Sequence, residues 1–173
     1  AGGGSCSGAC GSGVSLGVGE WPGTFRRSGR SANIASNSSD SIVSLATTAS
    51  LTWSTSNYDN DAMAALPGGI VLNDSGIYLL TARITLDVTV TAALNSAAAW
   101  FLSSVGFIGR PSQMSITGMG THGKVLNLFA LHYTTGAAPD TISVQVRHTD
   151  PAGVNFGARN LNATKMSNLL SGS

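Results

Sequence analysis

Asp59 and Asp61 are the residues best placed to do chemistry. They sit one residue apart in "YDNDAMAAL", in a chain of 173 residues of which only 10% are charged. Three chemistries use such a pair. A calcium loop of the EF-hand type needs a further oxygen ligand, a glycine and a glutamate at set spacings, and Met63, Ala64 and Ile70 stand there instead. Glycosidase carboxylates face each other across the substrate, about 5 to 9 Å apart, which neighbouring positions on one strand do not supply. The third use is capping, in which the carboxylate accepts nearby backbone N–H groups and fixes a turn. Capping is the expectation, with an adventitious cation as the alternative.

Two glycine motifs invite catalytic or phosphate-binding readings. "GVSLG", Gly13 to Gly17, matches the nucleophile elbow that would make Ser15 a hydrolase nucleophile. That elbow needs a buried strand before it and a helix after it, whereas glycine and serine flank this one. "GMGTHGK", Gly118 to Lys124, matches a phosphate-cradling loop, but the apolar run after it reads as a strand and not the helix whose N-terminus would face a phosphate. It is expected to be a loop between strands. His122, His132 and His148 lie on separate stretches without i, i+4 spacing, so each is expected to be a hydrogen-bonded structural residue. Cys6 and Cys10, the two cysteines, lack partners for a zinc site; a local disulfide and free thiols both remain open. No enzyme chemistry and no cofactor is expected.

The elements that position these residues are strands. In "GIYLLTARITLDVTV", Tyr78, Leu80, Ala82, Ile84, Leu86, Val88 and Val90 alternate with Thr81, Arg83, Thr85, Asp87 and Thr89, the period of a long half-buried strand. "DTISVQVRHTD" alternates likewise through Ile142, Val144 and Val146. "KVLNLFALHY" is apolar on both parities, as a central strand covered on both faces would be. "TAALNSAAAWFLSS" reads as a strand entered from a loop. Short strands punctuated by Gly, Pro and Asn predict an all-β antiparallel sandwich.

Residues 1 to 40 have no hydrophobic period. Such a tract cannot bury enough apolar area to offset its ordering entropy, so it reads as an N-terminal arm ahead of a domain at 41 to 173. Trp21, Phe25, Arg26, Arg27 and Arg30 give it two aromatics and three cations, suited to docking on a partner. The alternatives are an arm packed on its own domain and, more weakly, a nucleic-acid contact. A net charge of +1 supplies no field to capture nucleic acid or an acidic membrane and favours self-association. No apolar run approaches a membrane span, and "AGGGSCSGAC" lacks the regions of a signal peptide, so the chain reads as soluble with no membrane insertion.

One stretch resembles a family. "WSTSNYDNDAMAALPGGIVLNDSGIYLLTARITLDV", Trp53 to Val88, is similar to the opening of C1q/TNF-like jelly-roll domains of bacteriophage structural proteins, where a Tyr-Asp-x-Asp-Gly-Met element precedes a P-x-x-G-x-Y strand. Tyr58, Asp59, Asp61, Met63, Gly76 and Tyr78 fall on that pattern; Ala62 stands where it favours glycine, and Asn73, Asp74 and Ser75 come before Gly76. "VLNLFALHYTTGAAPDTISVQVRHTD" resembles the family's paired strands, while "ATKMSNLLS" lacks the usual Phe and Gly of its last strand. The likeness covers about Leu51 to Leu170.

The resemblance implies a homotrimer with an apolar flank toward the threefold axis. Trp100, Phe101, Phe107, Phe129 and Tyr133 are more apolar strand positions than one small sandwich needs. It further implies a non-enzymatic virion protein, a surface knob held to other virion proteins by its arm. Capsid decoration or head fibre and a minor tail protein touching a host glycan or receptor are the two placements. The competing reading is a secreted ligand or carbohydrate-binding module of the same fold, with Asn37, Asn73 and Asn162 in N-x-S/T sequons as candidate glycan sites; a hydrolase built on Ser15 is the third.

Overall fold

The computed structural model describes residues 30–37, 40–42, 47–87, 96–115, 124–150 and 153–167. They form twelve strands: β1 (Ser31–Ser36), β2 (Asp40–Ile42), β3 (Ala49–Ser50), β4 (Thr55–Asp59), β5 (Ala64–Ala65), β6 (Gly69–Leu72), β7 (Gly76–Asp87), β8 (Ser96–Ser103), β9 (Gly106–Ser115), β10 (Lys124–Thr134), β11 (Asp140–His148) and β12 (Val154–Ser167). No helix occurs among the described residues. The first sheet runs β10-β7-β12-β1-β4, with β2 also paired to β12. The second runs β5-β6-β11-β8-β9, with β3 paired to β11, and every pairing is antiparallel.

The alternation that predicts β7 holds from Tyr78 to Leu86, with Tyr78, Leu80, Ala82, Ile84 and Leu86 buried between the sheets; Val88 and Val90 lie outside the described residues. Ile142, Val144 and Val146 of β11 meet them from the other side, with Trp53, Phe101 and Phe156 among the largest buried side chains. Trp100 and Phe101 lie on β8, a strand as expected. Gly69 begins β6 at φ +151, and a Cβ there would run into the Ile142 carbonyl of β11. This is a position only glycine takes readily.

Three expectations are corrected. β10, read as a strand covered on both faces, is the edge strand of the first sheet. Leu126, Leu128 and Ala130 face the core, but Phe129, Leu131 and Tyr133 on the other parity are exposed. β1 lies inside the stretch assigned to the arm, yet it pairs with β12 on one side and β4 on the other, with Ala32 and Ile34 buried. The sheet therefore begins at Ser31 and not after residue 40. The last strand starts at Val154, well before "ATKMSNLLS", and joins β1 to β7 in the middle of its sheet. A register shift between Phe156 and Arg159 switches its core-facing parity and hides the period of two.

Candidate functional site

Asp59 ends β4 and closes the turn that follows. Its Oδ1 accepts the Met63 N–H at 2.7 Å and its Oδ2 the Ala64 N–H at 2.9 Å, while Met63 is buried beneath. Burial pushes the Asp59 carboxyl up, but the N–H groups of Ala64, Met63 and Asp61 outweigh it and hold the carboxyl below its ordinary value. Both oxygens of Asp59 are thus engaged in capping the turn. Ala62, inside this turn, has φ +50, where a Cβ is unfavourable by about 1 kcal/mol. Ala62→Gly should therefore stabilise the fold by up to about 1 kcal/mol, read as a higher urea midpoint at unchanged slope; an unchanged or lowered midpoint would contradict this account of the turn.

Asp61 faces elsewhere. Arg30 Nη1 pairs with Asp61 Oδ2 at 2.5 Å and also with Asp74, which Lys165 Nζ approaches at 3.5 Å. Arg30, expected to dock on a partner, is tied into the domain's own charge network, and its carbonyl accepts the Lys165 N–H. Trp21, Phe25, Arg26 and Arg27, together with Ser15, Cys6, Cys10 and His122, lie outside the described residues. Gly76 takes φ +147, backbone that side chains rarely adopt, and Tyr78 is buried with its hydroxyl 3.4 Å from the Asp74 carbonyl. Tyr58 is exposed on β4.

His132 and Asp140 were not paired by the sequence, and the fold joins them. His132 Nε2 donates to Asp140 Oδ2 at 2.6 Å, and Asp140 Oδ1 accepts the Ser104 hydroxyl at 2.7 Å and the Ser104 N–H at 3.0 Å. The order of the three groups matters. The serine hydroxyl bonds the carboxylate and not the imidazole, so no base is set to activate it as a triad would require. The cluster instead clamps the β8–β9 turn to β10 and β11.

Burial pushes the Asp140 carboxyl up, but the Ser104 hydroxyl, His132 and the Ser104 N–H outweigh it, and the carboxyl sits below its ordinary value. A folded-state value below the unfolded one gives stability that is complete above the unfolded value and is lost as pH falls through the folded one. Stability should accordingly decline below about pH 5. Asp140→Asn should remove about 2 kcal/mol at pH 7 and flatten that acid limb. Urea titrations at pH 7 and pH 4 check it; a variant with the wild-type acid limb would refute the assignment.

The surface feature that stands out is the outer face of the first sheet. Phe129, Leu131 and Tyr133 on β10 are 70%, 63% and 53% exposed. Leu131 stands beside Leu79, and Tyr133 beside Ile77, in the β10–β7 register, and exposed Met166 lies on β12. Farther across, Asn57 Nδ2 donates to Asn33 Oδ1 at 2.5 Å, Asn33 Nδ2 donates to Asn162 Oδ1, and Asn162 Nδ2 donates to Thr81 Oγ1 at 3.1 Å. This amide ladder crosses β4, β1, β12 and β7 and ends beside Phe129, the partner of Thr81. Its groups bond one another, so covering them carries little of the usual penalty for burying polar atoms. A glycan on Asn162 would break the ladder.

The sequence singled out Phe129 and Tyr133 as surplus but missed Leu131, Met166 and the ladder. The signal for Leu131 was the apolar run on both parities of "KVLNLFALHY". Phe101, grouped with the surplus aromatics, is core; Trp100 and Phe107 lie on the second sheet, with ring centroids 6.1 Å apart.

No protein-family model matches the chain, and no curated protein matches it. Solved structures do. The globular domain of zebrafish complement 1qA aligns with TM-score 0.51 at 11% identity, over 80% of this chain and 98% of that one. The Eiger TNF from S. frugiperda aligns with TM-score 0.50 at 11% identity, over 83% and 96%. Murine APRIL aligns with TM-score 0.50 at 15% identity, over 79% and 98%. The fold is a C1q/TNF-like antiparallel jelly roll.

Proposed function

We propose that this chain is a non-enzymatic jelly-roll knob that assembles as a homotrimer through the outer face of its first sheet. The exposed row Phe129, Leu131 and Tyr133 carries the reading. Three large apolar side chains on one edge strand, continued by Ile77 and Leu79, make the kind of patch that marks an interaction surface. A second copy fits it: the net charge of +1 leaves little repulsion between subunits, and the amide ladder is already satisfied when covered.

Its setting is proposed as the surface of a bacteriophage particle, as capsid decoration, head fibre or minor tail protein. The Tyr58-to-Tyr78 element supports this through its resemblance to phage structural proteins. Residues before Arg30, with Trp21, Phe25, Arg26 and Arg27, would hold the knob to other virion proteins. The tail placement adds a host surface glycan or receptor. A secreted ligand is the second reading, favoured by neighbours that are a complement domain and a TNF.

Light scattering after size exclusion, on the chain with and without residues 1 to 29, tests the assembly. A trimer in both forms is the expected result. A monomer in both overturns it, and a monomer that associates only after truncation would mean that the arm covers this face. Detection in purified virions, or in culture medium without particles, separates the two settings.

A further inference from the structure

We propose that the outer face of the second sheet carries a binding site for a carboxylate-bearing saccharide. A groove of about 610 Å³ crosses β11, β8 and β9 there, within the range of roughly 300 to 1,000 Å³ of small-ligand sites. Ala98 pairs with Arg147 on one side and Gln113 on the other, so its small side chain forms a floor between two long polar ones. Trp100 and Phe107, packed edge to face, close one end with Pro111.

Three observations set the ligand's chemistry. The first is charge: Arg147 is exposed and lines the groove, and among the described residues no carboxylate lines it or pairs with Arg147. A guanidinium left open in this way matches a carboxylate, which it binds through two parallel N–H bonds. The second is aromatic surface, since Trp100 and Phe107 line the groove and offer apolar area to one face of a ring. The third is shape. The β8 backbone beneath the groove is hydrogen-bonded to β11 on one side and β9 on the other, so a ligand on this floor meets side chains. A compact ring fits this better than an extended peptide. Its apolar face would lie on Trp100 and Phe107, its hydroxyls would reach the Gln113 amide, and its carboxylate would reach Arg147.

The site lies within one subunit on the sheet opposite the proposed trimer face. It gives chemistry to the host-glycan contact of the reading above, yet it stands or falls separately from the oligomeric state. The test is a titration of the full-length, ¹⁵N-labelled chain with galacturonate and its oligomers, and with neutral galactose and its oligomers, read on the indole N–H resonances. Loss of a peak in Trp100→Phe assigns the reporter. The expected result is a saturable shift of the Trp100 resonance by the acidic sugars, with the neutral ones at least ten-fold weaker. Arg147→Met should lower acidic-sugar affinity at least ten-fold, while Arg110→Met, an exposed arginine that does not line the groove, leaves it unchanged. No saturable shift, equal affinity for neutral and acidic sugars, indifference to Arg147→Met, or binding of an acidic peptide with the sugars silent would overturn the proposal.

Discussion

Leu131→Asp should turn the proposed trimer into folded monomers. Leu131 is 63% exposed in the single chain and sits between Phe129 and Tyr133 on the outer face of β10, so the isolated fold has no reason to resist the change. In a trimer the same position meets its surroundings three times. Burying a leucine contributes about 2 kcal/mol, so the three copies amount to about 6 kcal/mol before any penalty for the carboxylate. That corresponds to about four powers of ten in the assembly constant. Light scattering should report a monomer at concentrations where the parent is trimeric, with the far-ultraviolet circular dichroism of the strands preserved. Thr141→Asp is the matched control, because Thr141 is exposed on β11 of the other sheet and its variant should keep the parent mass. Should both variants keep that mass, the apolar row of β10 is not the interface.

That row also shows where sequence reasoning stops. "KVLNLFALHY" is apolar on both parities, and a strand buried on two sides by its own chain has the same signature as one buried on one side by its own chain and on the other by a second copy. The fold shows only that its own chain leaves one side open, with Phe129, Leu131 and Tyr133 exposed. β7 and β11 were legible because each has one solvent face and one core face, which writes a period of two. β1 was not: "SANIAS" buries Ala32 and Ile34, but its small and polar residues look like the glycine- and serine-rich tract before it. The turn at Asp59 was legible in kind, since capping is a local interaction. The clamp of Ser104, His132 and Asp140 was not, because it joins two strands and a turn that only the tertiary fold brings together.

Arg159 was equally hidden, and its replacement should have the largest effect on stability. It sits at the register shift of β12 with 4% exposure. A charged side chain at such a position would read from sequence as a break in a strand. In the fold its guanidinium serves the carbonyls that the irregular backbone leaves open. Nη1 donates to the Phe156 carbonyl at 2.8 Å and to the Gly157 carbonyl at 3.0 Å, while Nε and Nη2 donate to the Thr52 carbonyl at 2.9 and 2.6 Å. The charge lies over the Trp53 ring, 5.8 Å from its centroid, in an arrangement favourable to a cation. Arg159→Met fills similar space but offers no donors, leaving the buried Phe156 and Gly157 carbonyls short of partners at about 1 to 3 kcal/mol each, and the part-buried Thr52 carbonyl loses its donors as well. A loss of about 4 kcal/mol follows, or about 12 °C in Tm for a domain of this size. Arg159→Lys keeps the charge without the planar fork and should lose about half as much. This graded order, read by calorimetry, separates the two roles of the residue: equal losses would assign its whole contribution to the fork, and a silent lysine variant would assign it to the charge over Trp53.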